Sequence, residues 1–342
     1  MRMKKLKSGR PPDKYITSSR APEETDEGFY FPISPFMIFP EAYGEFAVFV
    51  RKGKNYILFT RQGEQFNEAH KNALHENGTR EVYIHLSQKQ NYDRYLEENL
   101  EKTLLDESIP LPVRGNVFYY LSTSILNELF ERNEPSLDSW SFDKLTNIVR
   151  SSLGFLSMSG SLRALSQIMS RYYGTHTHCT NVFIYTAALL SKYNLPGPEK
   201  VGMGLGAILH DIGKSAIPKR ILNKRGKLNL DERALLKKHP VQGAGMCALV
   251  SVGQTVVNGI LFHHEKMDGS GYPAGLAESA IPLAARVTGI ADSFDMLTSE
   301  RPFIDPVSPH VALNVMAEQM NGRYDPDVVE RFAAVLSGAG IL

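Results

Sequence analysis

Apolar positions along the chain follow two different periods. Residues 45–51 and 55–61 are short β-rich runs of Phe, Val, Tyr and Ile, separated by Lys52-Gly53-Lys54, which predicts a hairpin. Residues 64–76 have helical spacing that stops at Asn77-Gly78. Residues 80–85 predict a further strand, and Ser87 opens a helix expected to run through Tyr92, Tyr95 and Leu96 toward Leu104. Downstream the period becomes helical throughout. Residues 116–131 and 142–169 predict helices on either side of Pro135-Ser136. After Thr175 the apolar residues recur as Val182, Tyr185, Leu189, then Met203, Ala207, Leu209, and later Val311, Val315, Met316. No strand is expected past Ser136. The predicted fold class is a small α+β N-terminal domain over 29–135, with a trailing helix, followed by an all-α bundle over 136–342.

Residues 1–28 carry the opposed charge runs KKLKSGRPP and EETDE with few large apolar residues, the composition of a mobile tail. No apolar run follows the lysines, so a secretory signal is not expected, and no stretch approaches the ~18 apolar residues of a membrane span. A cytoplasmic protein is expected. The formal net charge of +1 gives no global attraction to nucleic acid or membrane, so an anionic ligand needs a locally positive site. Bound metal ions are one source of such charge. The two cysteines, Cys179 and Cys247, form no CxxC pair, which argues for reduced thiols and against a disulfide scaffold. In the first domain nothing resembles a phosphate loop or metal-spaced histidines, leaving regulatory, dimerising and purely structural roles open.

The histidines concentrate in the helical half. His178, His210, His239, His263 and His264 fall there with Asp211 and Asp292, and two sites are adjacent pairs, His210-Asp211 and His263-His264. Mixed imidazole and carboxylate donors suit first-row divalent ions such as iron, manganese, zinc or nickel. Adjacent residues on a helix point about 100° apart, so a pair at a helix end can reach two ions, or an ion and a substrate. Asp211 is suited to bridge two ions. One His-Asp pair alone is more often a hydrogen-bonded core pair; the combined set points to metal.

Leu209-His-Asp-Ile-Gly-Lys214 resembles the HD-superfamily signature, continued by residues 217–222, Gly226-Lys-Leu, Glu232 and His239-Pro. Residues 263–273, HHEKMDGSGYP, resemble the segment that names the HD-GYP family, and residues 290–303 resemble its closing motif. The resemblance covers roughly 173–332, nearly half the chain. It implies a helical bundle holding a binuclear, in some members trinuclear, metal centre. By motif position His178, His210, Asp211 and Asp292 hold one ion, and Asp211 bridges to a second held by His239, His263 and His264. Trinuclear members carry a glutamate one turn before the first histidine; Gly174 stands there, so two ions are expected, iron or manganese. His176, two residues from His178, is expected at the surface or behind the ligands.

The resemblance further implies a phosphodiesterase that hydrolyses cyclic di-GMP to linear pGpG, with further hydrolysis to GMP left open, by hydroxide attack supported by two metals. Lys214 is implied at the scissile phosphate or the leaving oxygen, and Asp295 and Arg301 at the guanine and phosphate. The loop of Gly269, Gly271, Tyr272 and Pro273 is implied to border the site and to meet a partner such as a diguanylate cyclase domain. Phe303 and Ile304 depart from the tyrosine and lysine common there, which leaves cyclic GMP-AMP open as a substrate. A non-catalytic nucleotide receptor or scaffold is the remaining alternative. The helices over 116–169 could make a homodimer or pack within one chain.

Overall fold

The computed structural model describes residues 29–39, 43–132, 136–170, 173–301, 305–319 and 322–342. The tail expected over 1–28, the break at Pro135 and the departures at Phe303 and Ile304 lie outside the described residues. Contacts divide the chain into two compact units, the first ending at Asn99 and the second spanning Leu100–Leu342.

The first unit holds four strands: β1 (Tyr30–Ile33), β2 (Val48–Lys52), β3 (Asn55–Thr60) and β4 (Val82–His85). They form an antiparallel sheet in the order β1-β4-β2-β3. The hairpin of β2 and β3 is the one the pattern predicts, with Val50 opposite Ile57. β1 is not predicted. It has four residues, one of them Pro32, which is tolerated because the strand lies at the sheet edge. Helix α1 (Glu68–Glu76) starts four residues later than its apolar spacing suggests. Asn67 caps it, accepting the His70 N–H at 3.0 Å and returning its own N–H to His70 Nδ1 at 3.3 Å; such a cap is worth about 1 kcal/mol. From helix α2 (Lys89–Glu98), Tyr92 packs on Phe31 and Phe46, and the Tyr95 hydroxyl accepts the Phe39 N–H at 2.6 Å.

In the second unit, α3 (Leu100–Leu105), α4 (Leu111–Phe130), α5 (Ser139–Leu156) and α6 (Ser161–Ser166) come first. The single helix expected over 142–169 is two, because the chain turns at Gly160 with φ +84°, a conformation an α-helix cannot continue through. The pattern assigns the helix over 116–131 to the first domain; in the fold α4 packs on α5, α6 and α7 (Thr175–Leu190), where Phe118 meets Phe183. The remaining helices are α8 (Gly197–Leu209), α9 (Lys219–Leu222), α10 (Leu230–Leu236), α11 (His239–Met246), α12 (Gln254–Phe262), α13 (Leu283–Thr298), α14 (Pro309–Asn314) and α15 (Pro326–Gly338). α7 is buried on every side from His178 to Leu190, which explains its near-continuous apolar sequence. It packs against α4, α8 and α13, and α12 packs on α8 and α13. No strand occurs past residue 136 among the described residues, as the pattern predicts. No described helix is long and apolar enough to cross a membrane.

Candidate metal centre

Four helices that pack together deliver the histidines and aspartates to one point. His178 stands on α7, His210 and Asp211 follow α8, His263 and His264 follow α12, and Asp292 stands on α13. His239 opens α11, directly after α10.

Three of these histidines share one local device. The last carbonyls of a helix lack intrahelical partners. Nδ1 of His210 lies 2.8 Å from the Ala207 carbonyl, that of His239 2.7 Å from Leu236, and that of His263 2.8 Å from Ile260. A carbonyl only accepts, so each Nδ1 carries a proton, and in the neutral ring each Nε2 is a lone pair facing inward. His178 lies inside its helix and uses a side chain instead: its Nδ1 lies 2.7 Å from Asp295 Oδ2.

The Nε2 atoms converge on Asp211. Its Oδ2 is 3.3 Å from His210 and 3.6 Å from His178, while its Oδ1 is 3.1 Å from His239 and 3.9 Å from His263. Asp292 Oδ1 lies 3.1 Å from His178 Nε2, and its Oδ2 lies 3.7 Å from Nδ1 of His264. Two donor groups result: His178, His210 and Asp292 on one side, and Asp211, His239, His263 and His264 on the other, each with its donor atoms within 4.8 Å of one another. Asp211 faces both groups, one oxygen to each.

This donor set suits cations. His239 and His263 bring their Nε2 atoms within 3.3 Å, and with both Nδ1 protons committed to carbonyls, neutral rings there meet acceptor to acceptor. Oδ1 of Asp211 is buried without a hydrogen-bond partner among the described residues. Buried polar atoms left in this state are costly unless a cation or proton lies between them. Burial, with His264, His210 and His239 around it, holds His263 well below the ordinary histidine value, and burial pushes His264 down to about 3. Both are therefore neutral imidazoles with free lone pairs. Burial works against an ionised Asp211, yet Lys214, His210 and His239 outweigh it and hold its carboxyl well below the usual range. Burial likewise opposes ionised Asp292, and His178, His264 and His210 overcome it.

Lys214 sits at the rim of the cluster, its ammonium 2.5 Å from Asp211 Oδ2 and 3.0 Å from the Tyr173 hydroxyl. The turn that presents it, residues 212–216, presses onto α11 at Gly213: a Cβ there would stand 1.9 Å from the His239 carbonyl oxygen. Only glycine permits that approach, and it places Asp211 beside His239.

The loop of Gly269, Gly271, Tyr272 and Pro273 borders the second donor group. The Tyr272 ring lies 4.7 Å from that of His264, and the Lys237 ammonium lies 5.0 Å from the Tyr272 ring. Sequence reasoning overlooked the residue that holds this loop. Glu265, buried, accepts the N–H groups of Ala274, Gly275 and Leu276 at 2.7, 3.1 and 3.0 Å. An acid directly after His263-His264 and ahead of a glycine-rich loop is the signal that could have found it. Arg301 follows Glu300, whose backbone carbonyl accepts the Tyr173 N–H at 3.0 Å, and the buried Nε of Arg301 has no hydrogen-bond partner among the described residues. Asp295, implied at the substrate, makes its hydrogen bonds within the protein. The residue is 2% exposed and its carboxylate is turned inward, to His178 and to the Asn181 amide. Gly174 caps the start of α7, and its carbonyl accepts the His178 N–H at 2.8 Å. The half-buried His176 belongs to neither donor group.

Comparisons with known proteins agree with this architecture. Residues 162–328 match the HD domain model. A cyclic di-GMP phosphodiesterase of Pseudomonas aeruginosa is 42% identical over 170 residues, covering 49% of this chain and 40% of that protein. A cyclic di-GMP phosphodiesterase of Thermotoga maritima is 29% identical over 249 residues, covering 70% of this chain and 64% of its own length. A 3'3'-cGAMP-specific phosphodiesterase of Vibrio cholerae is 35% identical over 161 residues, covering 46% of this chain and 30% of that protein. The chain thus spans between about a third and two thirds of these relatives. The solved structure of an HDG"Y"P protein from Bdellovibrio bacteriovorus shares the fold, with a TM-score of 0.63 at 23% identity over 90% of this chain and 99% of that one. With its donor set assembled, residues 162–328 of this chain form an HD domain, the part that the family model matches.

Proposed function

We propose that this protein is a metal-dependent phosphodiesterase that hydrolyses cyclic di-GMP to linear pGpG and on to GMP. One observation carries the reading: two donor groups share a single carboxylate, Asp211, with one oxygen turned to each. His178, His210, Asp211 and Asp292 would hold one divalent ion, and Asp211, His239, His263 and His264 a second, iron or manganese. Bound there, such ions supply an activated water at neutral pH and neutralise charge on the reacting phosphate.

The chain's own residues account for the rest. Lys214, 14% exposed, keeps an ammonium at the cluster's edge, where it can meet a phosphate oxygen or give a proton to the leaving 3′-oxygen. The Arg301 guanidinium offers a forked contact to phosphate or to a guanine edge. Tyr272 presents a ring face beside His264 on which a base can stack. Residues 214–238 carry nine lysines and arginines against two acids, in a chain whose formal net charge is +1. That concentration favours an anionic substrate at this rim.

Cyclic GMP-AMP is a second reading, favoured by the 35% identity to a relative named for that substrate. Turnover of cyclic di-GMP, cyclic GMP-AMP and cyclic di-AMP by the same manganese-loaded protein, compared as kcat/KM, tests the assignment. The proposal expects cyclic di-GMP to lead; a lead for cyclic GMP-AMP would move the substrate to the second reading.

A further inference from the structure

We infer that Tyr119, Asn181 and Asp295 are positioning residues that hold His178 in the tautomer and orientation a metal ion requires. The inference rests on the reading of His178 as a metal ligand. His210, His239 and His263 are oriented by carbonyls at the C-terminal ends of α8, α10 and α12. His178 has no such carbonyl, since it lies within α7, where Gly174 O already accepts the His178 N–H and the Thr177 hydroxyl. The fold brings Asp295 to it from α13 instead, 117 residues away in sequence.

The hydrogen bonds behind Asp295 run in one direction. A carboxylate only accepts, so Asp295 Oδ2 takes the proton of His178 Nδ1 at 2.7 Å, and its Oδ1 takes an amide hydrogen of Asn181 Nδ2 at 2.9 Å. That fixes the Asn181 amide with Oδ1 toward Tyr119, whose hydroxyl donates to it at 3.1 Å. The Tyr119 oxygen is then free to accept the Ser170 N–H, which it does at 2.9 Å, while Asn181 Nδ2 also lies 3.3 Å from the Ser170 carbonyl. Burial pushes the Tyr119 phenol up to about 12, so it stays a donor. His178, Asn181 and Asp295 are each at most 2% exposed, so no bulk water competes for these positions. The chain Tyr119–Asn181–Asp295–His178 keeps a proton on His178 Nδ1, which leaves Nε2, facing Asp211 and Asp292, as the nitrogen a metal ion can take. Outer partners of ligating histidines carry about 10–100-fold of metal affinity. Through this relay α4, which makes no direct contribution of ligands, is joined to the metal site.

The test is titration of the full chain with Mn2+, read as affinity and ions bound per chain, beside thermal unfolding of the metal-free protein. Asp295→Asn keeps the shape but lets an amide N–H face His178, forcing the proton onto Nε2; Mn2+ affinity on the His178 side should fall by about 100-fold. Tyr119→Phe and Asn181→Ala should each lower it by about 10-fold, and the double variant should lose no more than Asn181→Ala alone. A purely structural role would lower the unfolding midpoint and leave Mn2+ affinity unchanged. Wild-type affinity in Asp295→Asn and Tyr119→Phe, or losses that multiply in the double variant, would overturn the relay. A wild-type protein that binds no Mn2+ would instead overturn the ligand reading on which the relay depends.

Discussion

The ammonium of Lys214 lies 2.5 Å from Oδ2 of Asp211, inside a cluster where that carboxylate turns one oxygen to each set of donors. Burial disfavours the charged lysine, but Asp211 and Tyr173 hold its pKa well above the ordinary value, so it remains a cation. Lys214→Ala should therefore retain its metal and lose turnover by about 100-fold, the usual effect of removing one charge-stabilising donor. Metal content by elemental analysis and kcat on cyclic di-GMP separate the two effects. Loss of metal without a further loss of turnover in the occupied fraction would place Lys214 among the structural supports of Asp211.

Gly213 makes the contact between the turn 212–216 and α11 possible. Gly213→Ala should destabilise the protein by more than about 2 kcal/mol and reduce metal binding, because a Cβ at 1.9 Å from the His239 carbonyl forces the two segments apart. Gly245→Ala, on the exposed side of the same helix with nothing within 4 Å of its Cβ, is the control. It should leave stability unchanged or raise it by about 0.5–1 kcal/mol. Urea denaturation of both variants checks the contrast.

Glu265 should govern the glycine-rich loop. Glu265→Ala leaves three N–H groups, those of Ala274, Gly275 and Leu276, without their acceptor. At about 1 kcal/mol or more each, the loss should reach about 3 kcal/mol and be felt first in the loop. Hydrogen exchange over residues 269–277 should accelerate in the variant well below the global unfolding transition. Unchanged protection there would remove Glu265 as the loop's anchor.

The fold class and the donor residues were legible in the sequence, and the direction of individual side chains was not, for a physical reason. Metal donors require particular residue types, so His178, His210, Asp211, His239, His263, His264 and Asp292 can be picked out by chemistry and motif, and the fold brings all seven together. Side-chain direction has no such signature. Asp295 stands three residues after Asp292 on α13 and reads equally well as a substrate contact; only the packing of α13 on α7 turns it toward His178. β1 is too short, and too marked by Pro32, to show an alternating pattern. The break at Gly160 is hidden because apolar spacing resumes at Leu162 and Leu165, in register for a reader expecting one helix.

Metal should stabilise the protein, since it binds the assembled donors and not the unfolded chain. At a free Mn2+ concentration of about 100 times Kd the gain is about 2.7 kcal/mol, which for a unit of this size corresponds to a rise of roughly 5–10 °C in Tm. Differential scanning calorimetry with Mn2+ or with EDTA measures it. Asp211→Ala should abolish the difference, and an equal rise in that variant would place the stabilising ion elsewhere.

Incubation of manganese- or iron-loaded protein with cyclic di-GMP, with the products separated by chromatography and Asp211→Ala alongside, decides whether the two donor groups form a hydrolytic centre. Linear pGpG or GMP should form only in the presence of metal and not in the variant. No product from fully metal-occupied wild-type protein, or equal product from Asp211→Ala, would contradict a hydrolytic centre there.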